Sequence, residues 1–314
     1  MTILVTGGLG YIGSHTVVEL LNNNFEVVII DDLSNTEKFI LKNIEEITGK
    51  KPIFYPFDLK RKELLKQVFD AHKIEGCIHF AAYKAVGESQ EKPIDYYENN
   101  LFSLINLLQE MKERNISNFI FSSSCTVYGQ ADTMPIDENT PLKLPESSYG
   151  KTKQMGEEIL KDFATAHHKK VTLLRYFNPI GAHPSAKLGE LPIGIPNNLV
   201  PYVMQTAAGI REKLSVWGDD YPTEDGTAIR DYIYVVDLAK AHVKALQKLI
   251  SENAETLVDI YNLGTGKGSS VLEVVHAFEK ANDVAVPYQI CERRAGDITI
   301  AYANADKAEK ELGW

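Results

Sequence analysis

Two stretches of this chain carry residue types whose spacing can do chemistry: Ser122-Ser123-Ser124-Cys125-Thr126-Val127-Tyr128-Gly129 and Tyr149-Gly150-Lys151-Thr152-Lys153. The serines follow the apolar run Phe119-Ile120-Phe121, so they fall where a buried parallel strand would leave its sheet. Tyr149 and Lys153 are four apart, on one face of a helix. A phenol titrates near roughly 10 in water, too high for a good base at neutral pH. A neighbouring ammonium stabilises the phenolate, and a serine hydroxyl can share the same substrate proton. Such a trio moves a proton on and off an alcohol, as alcohol–ketone redox chemistry requires. Alone, a Tyr-x-x-x-Lys pair also fits a solvated helix face, so the elements around it decide.

The first of these elements lies at the amino terminus. Ile3-Leu4-Val5 reads as a short buried strand that runs into Thr6-Gly7-Gly8-Leu9-Gly10-Tyr11-Ile12-Gly13, and a helical pattern follows through Val17, Val18, Leu20 and Leu21. Gly8, Gly10 and Gly13 fit one dinucleotide spacing; Gly7, Gly10 and Gly13 fit the wider related one. Glycines here permit a tight turn and let backbone approach a pyrophosphate at a helix N-terminus. A second strand, Glu26 to Ile30, ends in Asp31-Asp32. An acid there suits ribose hydroxyls, and no arginine stands nearby for a 2′-phosphate, so NAD is expected over NADP.

With 314 residues, 44% of them apolar, the chain can bury one large core or two modest ones. A net charge of −10 without a basic tract argues against nucleic acid or an anionic membrane as partner. Three cysteines, Cys77, Cys125 and Cys291, lack paired or metal-type spacing, and no metal is expected. Neither a signal peptide nor a membrane-length apolar run is read, so a cytoplasmic protein is expected. Strand-like runs at Ile3–Thr6, Glu26–Ile30, Ile53–Pro56, Gly76–Phe80, Asn118–Ser122 and Val171–Tyr176 alternate with helical patterns. That alternation predicts an α/β fold: a Rossmann-type, doubly wound parallel sheet with a smaller α/β substrate-binding domain. The expected division is 1–178 and 179–314, at a stretch dense in proline and glycine, with segments near 228–248 packing back onto the first part. Helices over Tyr96–Lys112 and Tyr149–Ala166 are more apolar than one buried face needs, which suits sheet-covering helices or a subunit contact.

Further stretches sharpen the reading: Lys84-Ala85-Val86-Gly87-Glu88-Ser89, Arg175-Tyr176-Phe177-Asn178-Pro179, Gly194-Ile195-Pro196-Asn197-Asn198-Leu199, Asp220-Tyr221-Pro222-Thr223-Glu224-Asp225-Gly226-Thr227 and Arg230-Asp231-Tyr232-Ile233. With the two motifs above, they make essentially the whole chain resemble the nucleotide-sugar epimerase branch of the extended short-chain dehydrogenase/reductase family. The resemblance implies Ser124, Tyr149 and Lys153 as catalytic residues. It places Gly7, Gly10, Tyr11, Ile12, Gly13, Asp31, Asn35, Asp58, Leu59, Phe80, Ala81, Lys84, Asn99 and Phe177, with Tyr149 and Lys153, around NAD. It gives Ser124, Asn178, Asn198, Leu199, Trp217, Arg230, Arg294, Asp297 and Ala301 to a UDP-hexose. Ala301 would stand beside the sugar's C2 substituent, where a small residue admits N-acetylated sugars. The implied reaction inverts C4 of UDP-glucose and UDP-galactose through a 4-keto sugar, in a homodimer. A nucleotide-sugar 4,6-dehydratase begins with the same oxidation, but needs an acid and a base where this chain has Cys125 and Thr126. A non-catalytic dinucleotide sensor is the third reading, and such proteins commonly lose the tyrosine. The family usually has glycine at Ala82 and alanine at Cys125, and its members continue beyond Trp314, so a short extension is expected to be missing here.

Overall fold

A computed structural model describes residues 1–251, 256–294 and 296–314. In chain order its strands are β1 (Thr2–Thr6), β2 (Glu26–Ile30), β3 (Ile53–Tyr55), β4 (Ile74–His79), β5 (Asn118–Ser122), β6 (Lys170–Tyr176), β7 (Asn178–Ile180), β8 (Leu214–Trp217), β9 (Ile229–Tyr234), β10 (Val258–Leu263), β11 (Gly268–Ser270), β12 (Tyr288–Cys291) and β13 (Ile300–Ala301). The helices are α1 (Tyr11–Asn22), α2 (Phe39–Thr48), α3 (Lys62–Ala71), α4 (Val86–Glu91), α5 (Pro93–Glu113), α6 (Ser148–His167), α7 (Leu199–Ala207), α8 (Val235–Ile250), α9 (Val271–Asn282) and α10 (Asp306–Leu312).

Seven strands form one sheet in the order β10-β6-β5-β4-β1-β2-β3, and every pairing in it is parallel. Strands buried on both faces read as continuous apolar runs, and β1 shows how the faces divide. Ile3 and Val5 join the core built with α1, α2 and α8, whereas Leu4 joins the core built with α3, α5 and α6. The chain order reverses direction between β1 and β4, and in such sheets the crevice outside the strand ends at that point binds ligands. This is the expected Rossmann-type α/β fold. The seventh strand, β10, comes from residues that the sequence reading did not mark as strand. Asp259 and Asn262 interrupt its apolar run, and only its docking beside β6 makes it part of the sheet.

Beyond β6 the chain builds a smaller layer. There β9 pairs with β7, β11 and β13, and β8 pairs with β12. Asp231 fixes this layer from within: its buried carboxylate accepts from the backbone N–H groups of Thr265, Gly266 and Ala303. Helix α8 returns to the large sheet, where Leu238, Ala241 and Leu246 share a core with Val17 and Leu20 of α1. Among the described residues no helix is long and apolar enough to cross a membrane.

Candidate active site

The carboxyl ends of the strands open into a cavity of about 330 Å³. Its floor is the turn after β1. Gly7 has φ +67°, and a Cβ on Gly13 would lie 2.1 Å from the Gly7 carbonyl oxygen, so the turn and the first helical turn close only on glycine. A Cβ on Gly8 would also meet Ile29 at 2.8 Å, so the turn is close-packed at Gly7, Gly8 and Gly13 alike. No side chain caps α1, which leaves its first N–H groups free at the cavity wall. At the end of β2, Asp31 accepts from the N–H groups of Leu9 and Leu33, both at 3.0 Å. Burial pushes its carboxyl up, while those N–H groups pull it down. Among the described residues that line the cavity there is no arginine, and its cations are Lys84 and Lys153. A close-packed glycine turn, free helix N–H groups and an acid at the second strand end fit a dinucleotide with an unmodified adenosine ribose.

Of the residues expected around the cofactor, every one lines this cavity: Gly7, Gly10, Tyr11, Ile12, Gly13, Asp31, Asn35, Asp58, Leu59, Phe80, Ala81, Lys84, Asn99, Tyr149, Lys153 and Phe177. Ser124, Asn178 and Asn198 line it too. Leu199 stands next to Asn198 at the start of α7. Trp217, Arg230, Arg294 and Asp297 assemble apart, as a rim on the smaller layer. Asp297 takes Arg294 in a two-pronged pair at 3.0 and 3.2 Å, and Arg230 reaches to 4.0 Å from the same carboxylate. Trp217 ends β8 at 40% exposure, not in the core, and the Arg294 guanidinium lies 5.9 Å from its ring centre. Ala301 is not on the cavity wall. It is 1% exposed, in a cluster with Val127, Tyr128 and Phe177, and Phe177 and the adjoining Cys125 are the parts of that cluster that reach the cavity.

The proton-transfer trio sits where β5 and α6 meet. Ser147 caps α6, accepting from the Gly150 N–H at 3.1 Å, and this places Tyr149 and Lys153 on the first two turns of its inner face. Lys153 donates to the Ser122 carbonyl at 2.6 Å and lies 4.9 Å from the centre of the Phe121 ring. Burial pushes the Tyr149 phenol above its ordinary range; Tyr176 adds to that rise and the Ser124 hydroxyl opposes it. Burial also lowers Lys153, to about 7, with Glu157 holding it up. Burial of both groups thus opposes the phenolate that the Lys153 ammonium favours. The thiol of Cys125 is pushed up to about 11 by burial, against the pull of Arg230, which disfavours a thiolate base at the place where a dehydratase needs one.

Two residues at the site escaped sequence reasoning. Glu190 accepts from Lys84 at 3.1 Å and from Asn198 at 2.5 Å, bridging the two sides of the cleft. Tyr176 hydrogen-bonds Ser122 and lines the cavity. Glu190 lies in an irregular proline- and glycine-rich loop that carries no periodic signal. Tyr176, at the end of a strand beside the serines, was marked only as part of a motif.

The profile of the family described as GDP-mannose 4,6 dehydratase matches residues 4–314. A UDP-glucose 4-epimerase of Bacillus subtilis is 54% identical over 315 residues, spanning 100% of this chain and 92% of its own. The UDP-glucose 4-epimerase of Bifidobacterium longum, solved in complex with NAD+ and UDP, is 50% identical with a TM-score of 0.97, covering 100% of this chain and 93% of its own. A third, from Stenotrophomonas maltophila with bound NAD and formylated UDP-arabinopyranose, is 46% identical with a TM-score of 0.95, covering 100% of this chain and 93% of its own. The profile match, the identity across the whole chain and the shared fold agree: the chain belongs to the UDP-glucose 4-epimerase family of the extended short-chain dehydrogenases/reductases.

Proposed function

We propose that this chain interconverts UDP-glucose and UDP-galactose by inverting C4 through a 4-keto sugar, with NAD as its cofactor. One observation carries the reading: Tyr149, Lys153 and Ser124 converge on the same cavity as the glycine turn and Asp31. NAD, when bound, would supply the hydride acceptor, and the residues that line the cavity from Gly7 to Phe177 would hold it. Tyr149 takes the proton of the C4 hydroxyl and gives it back after the sugar has turned. Ser124 hydrogen-bonds the reacting oxygen, and Lys153 stabilises the phenolate. Arg230 and Arg294 hold diphosphate oxygens, for which a guanidinium fork is suited. The nucleotide then provides remote binding energy while the sugar stays free to rotate.

The same reading divides the work into an NAD-binding part, 1–178, and a mainly UDP-sugar-binding part, 179–314. It also includes a homodimer. Ile94, Phe102 and Met155 leave apolar surface exposed on α5 and α6, which pack side by side. Replacing Phe102 and Met155 by glutamate should yield monomers in sedimentation, and an unchanged dimer would remove this face. Substrate breadth extends to UDP-N-acetylglucosamine and UDP-N-acetylgalactosamine, supported by the small Ala301 behind Phe177. The function is tested by incubation with UDP-galactose: UDP-glucose without a dehydrated sugar is expected, and a 4-keto-6-deoxy product would favour the dehydratase.

A further inference from the structure

Three consecutive serines leave β5, and they face different ways. Ser122 and Ser124 line the cavity. Ser123 is fully buried behind it and donates to Glu157 at 2.5 Å. Glu157 continues the inner face of α6 one turn beyond Lys153, so Tyr149, Lys153 and Glu157 follow one another at four-residue steps. The carboxylate, 0% exposed, is gripped by Arg175 of β6, itself 2% exposed, through Nε–Oε1 at 2.8 Å and Nη2–Oε2 at 2.5 Å. Arg175 also donates to the Tyr128 hydroxyl at 3.0 Å, and that hydroxyl donates to Asn262 at 2.7 Å. Apolar side chains of the same volume stabilise a core as well as a buried ion pair does, so packing alone does not account for this one.

We propose that Glu157, held by Arg175, is a positioning residue of the reaction: it fixes Ser123 and with it the adjacent Ser124, and it sets a permanent negative charge one helical turn behind Lys153. The surroundings of Lys153 leave that task to no other group. Its own helix presents Tyr149 and Glu157, β4 presents His79, β5 presents only Ser122 and Phe121, and β6 presents Tyr176 and Arg175. Around the neighbouring Tyr149, the 3₁₀ turn Cys125–Tyr128 adds the Cys125 thiol, and α5 adds Tyr96. Burial keeps His79 neutral and the thiol and phenols protonated, and the Arg175 cation is engaged by the pair. Among these described groups Glu157 is the one anion, and its effect on Lys153 opposes the burial that would discharge the ammonium. The ammonium is the form that stabilises a Tyr149 phenolate, so losing Glu157 removes it at a lower pH.

This inference rests on the epimerase reading, and the experiment separates the two. Turnover and KM for UDP-galactose are measured on the holoenzyme against pH, with folding followed by circular dichroism. The double variant Glu157→Gln/Arg175→Met removes both charges and leaves no unpaired cation. It should fold, keep KM within about threefold, lose at least about tenfold in kcat at pH 8, and move the alkaline limb of kcat down by roughly one pH unit. Ser123→Ala should lower kcat at every pH without moving that limb. A folded double variant with the parental kcat and limb would overturn the proposal. If the double variant does not fold, Glu157→Asp decides. Its retained charge should keep the limb in place while kcat falls, and a limb displaced by a full unit would overturn the proposal. A parent that does not epimerise UDP-galactose refutes the epimerase reading itself.

Discussion

The inner corner of the cavity and its outer rim are built in opposite ways. In the corner, Tyr149, Lys153 and Ser124 are buried, each at a fixed place on α6 or at the end of β5, and Lys153 is tied to backbone. At the rim, the charged residues are paired with one another. Arg294, half exposed, shares Asp297 with Arg230; Arg293 takes Asp220; Lys84 and Asn198 share Glu190. Partly exposed ion pairs contribute only about 0–1 kcal/mol, so a diphosphate can displace Asp297 from the arginines at little cost. Proton transfer needs heavy atoms at hydrogen-bond distance at the moment of reaction, and the corner is held by the fold itself, Lys153 through the Ser122 carbonyl and Ser124 through the Thr126 N–H. On the proposed function the rim would recognise the nucleotide, a task that tolerates an exchange of partners, and its ion pairs are exchangeable.

The contrast breaks most sharply at Tyr149. Tyr149→Phe keeps the ring and its packing, so the protein should fold and turnover should fall by about three orders of magnitude. Near-parental kcat would take the phenol out of the chemistry. The buried side also carries an acid response. Burial lowers His79 to about 3 and His242 to about 4, and His242, tilted against Phe80 and Tyr176, has a buried Nε2 without a hydrogen-bond partner. The unfolded chain binds protons below the ordinary histidine pKa that these folded rings refuse. Stability is therefore full above about pH 6.5 and is lost as the pH falls toward 4, by on the order of 3 kcal/mol for each ring. Urea unfolding at pH 7 and pH 4.5 should show that loss, and His242→Phe should reduce it; equal losses in the two proteins would contradict the assignment.

The rim should answer differently. Arg294→Ala should raise KM for UDP-galactose about ten- to a hundredfold and leave kcat nearly unchanged, because the contact is made equally before and during the reaction. A fall in kcat at constant KM would place Arg294 in the corner's class. The smallest effect concerns Ala301, which belongs to neither region. A tyrosine there finds no space among Val127, Tyr128 and Phe177 and presses Phe177 toward the cavity. Ala301→Tyr should therefore suppress turnover of UDP-N-acetylgalactosamine more than that of UDP-galactose. Equal losses, or no acetylated turnover in the parent, would sink the proposed breadth.

What was legible in the sequence follows the same division. The trio and the glycine turn could be read because each depends on a local period: four residues along a helix, or a strand end followed by a turn. Strands β2 and β5 were read to the residue for the same reason, as uninterrupted apolar runs. Contacts across the fold left no such trace. Glu157 stands four residues after Lys153, a spacing open to reading, yet nothing local tells a buried carboxylate from a solvated one until β6 brings Arg175 against it. Glu190 meets Lys84 from a distant loop, and β10 joins the sheet after a long excursion through the smaller layer. The burial of Tyr149 and Lys153, which sets what their charges cost, is likewise a quantity that only the packed structure supplies.

Within a single cavity, one proton leaves the C4 hydroxyl and one hydride leaves C4, and both return to the same sugar. UDP-galactose carrying deuterium at C4 tests it directly, when incubated with the NAD-loaded protein in ordinary water and followed by mass spectrometry and by absorbance at the wavelength of reduced nicotinamide. The expected product is UDP-glucose that retains the deuterium, with no net accumulation of NADH. Loss of the label to solvent, or NADH formed in step with product, would contradict it.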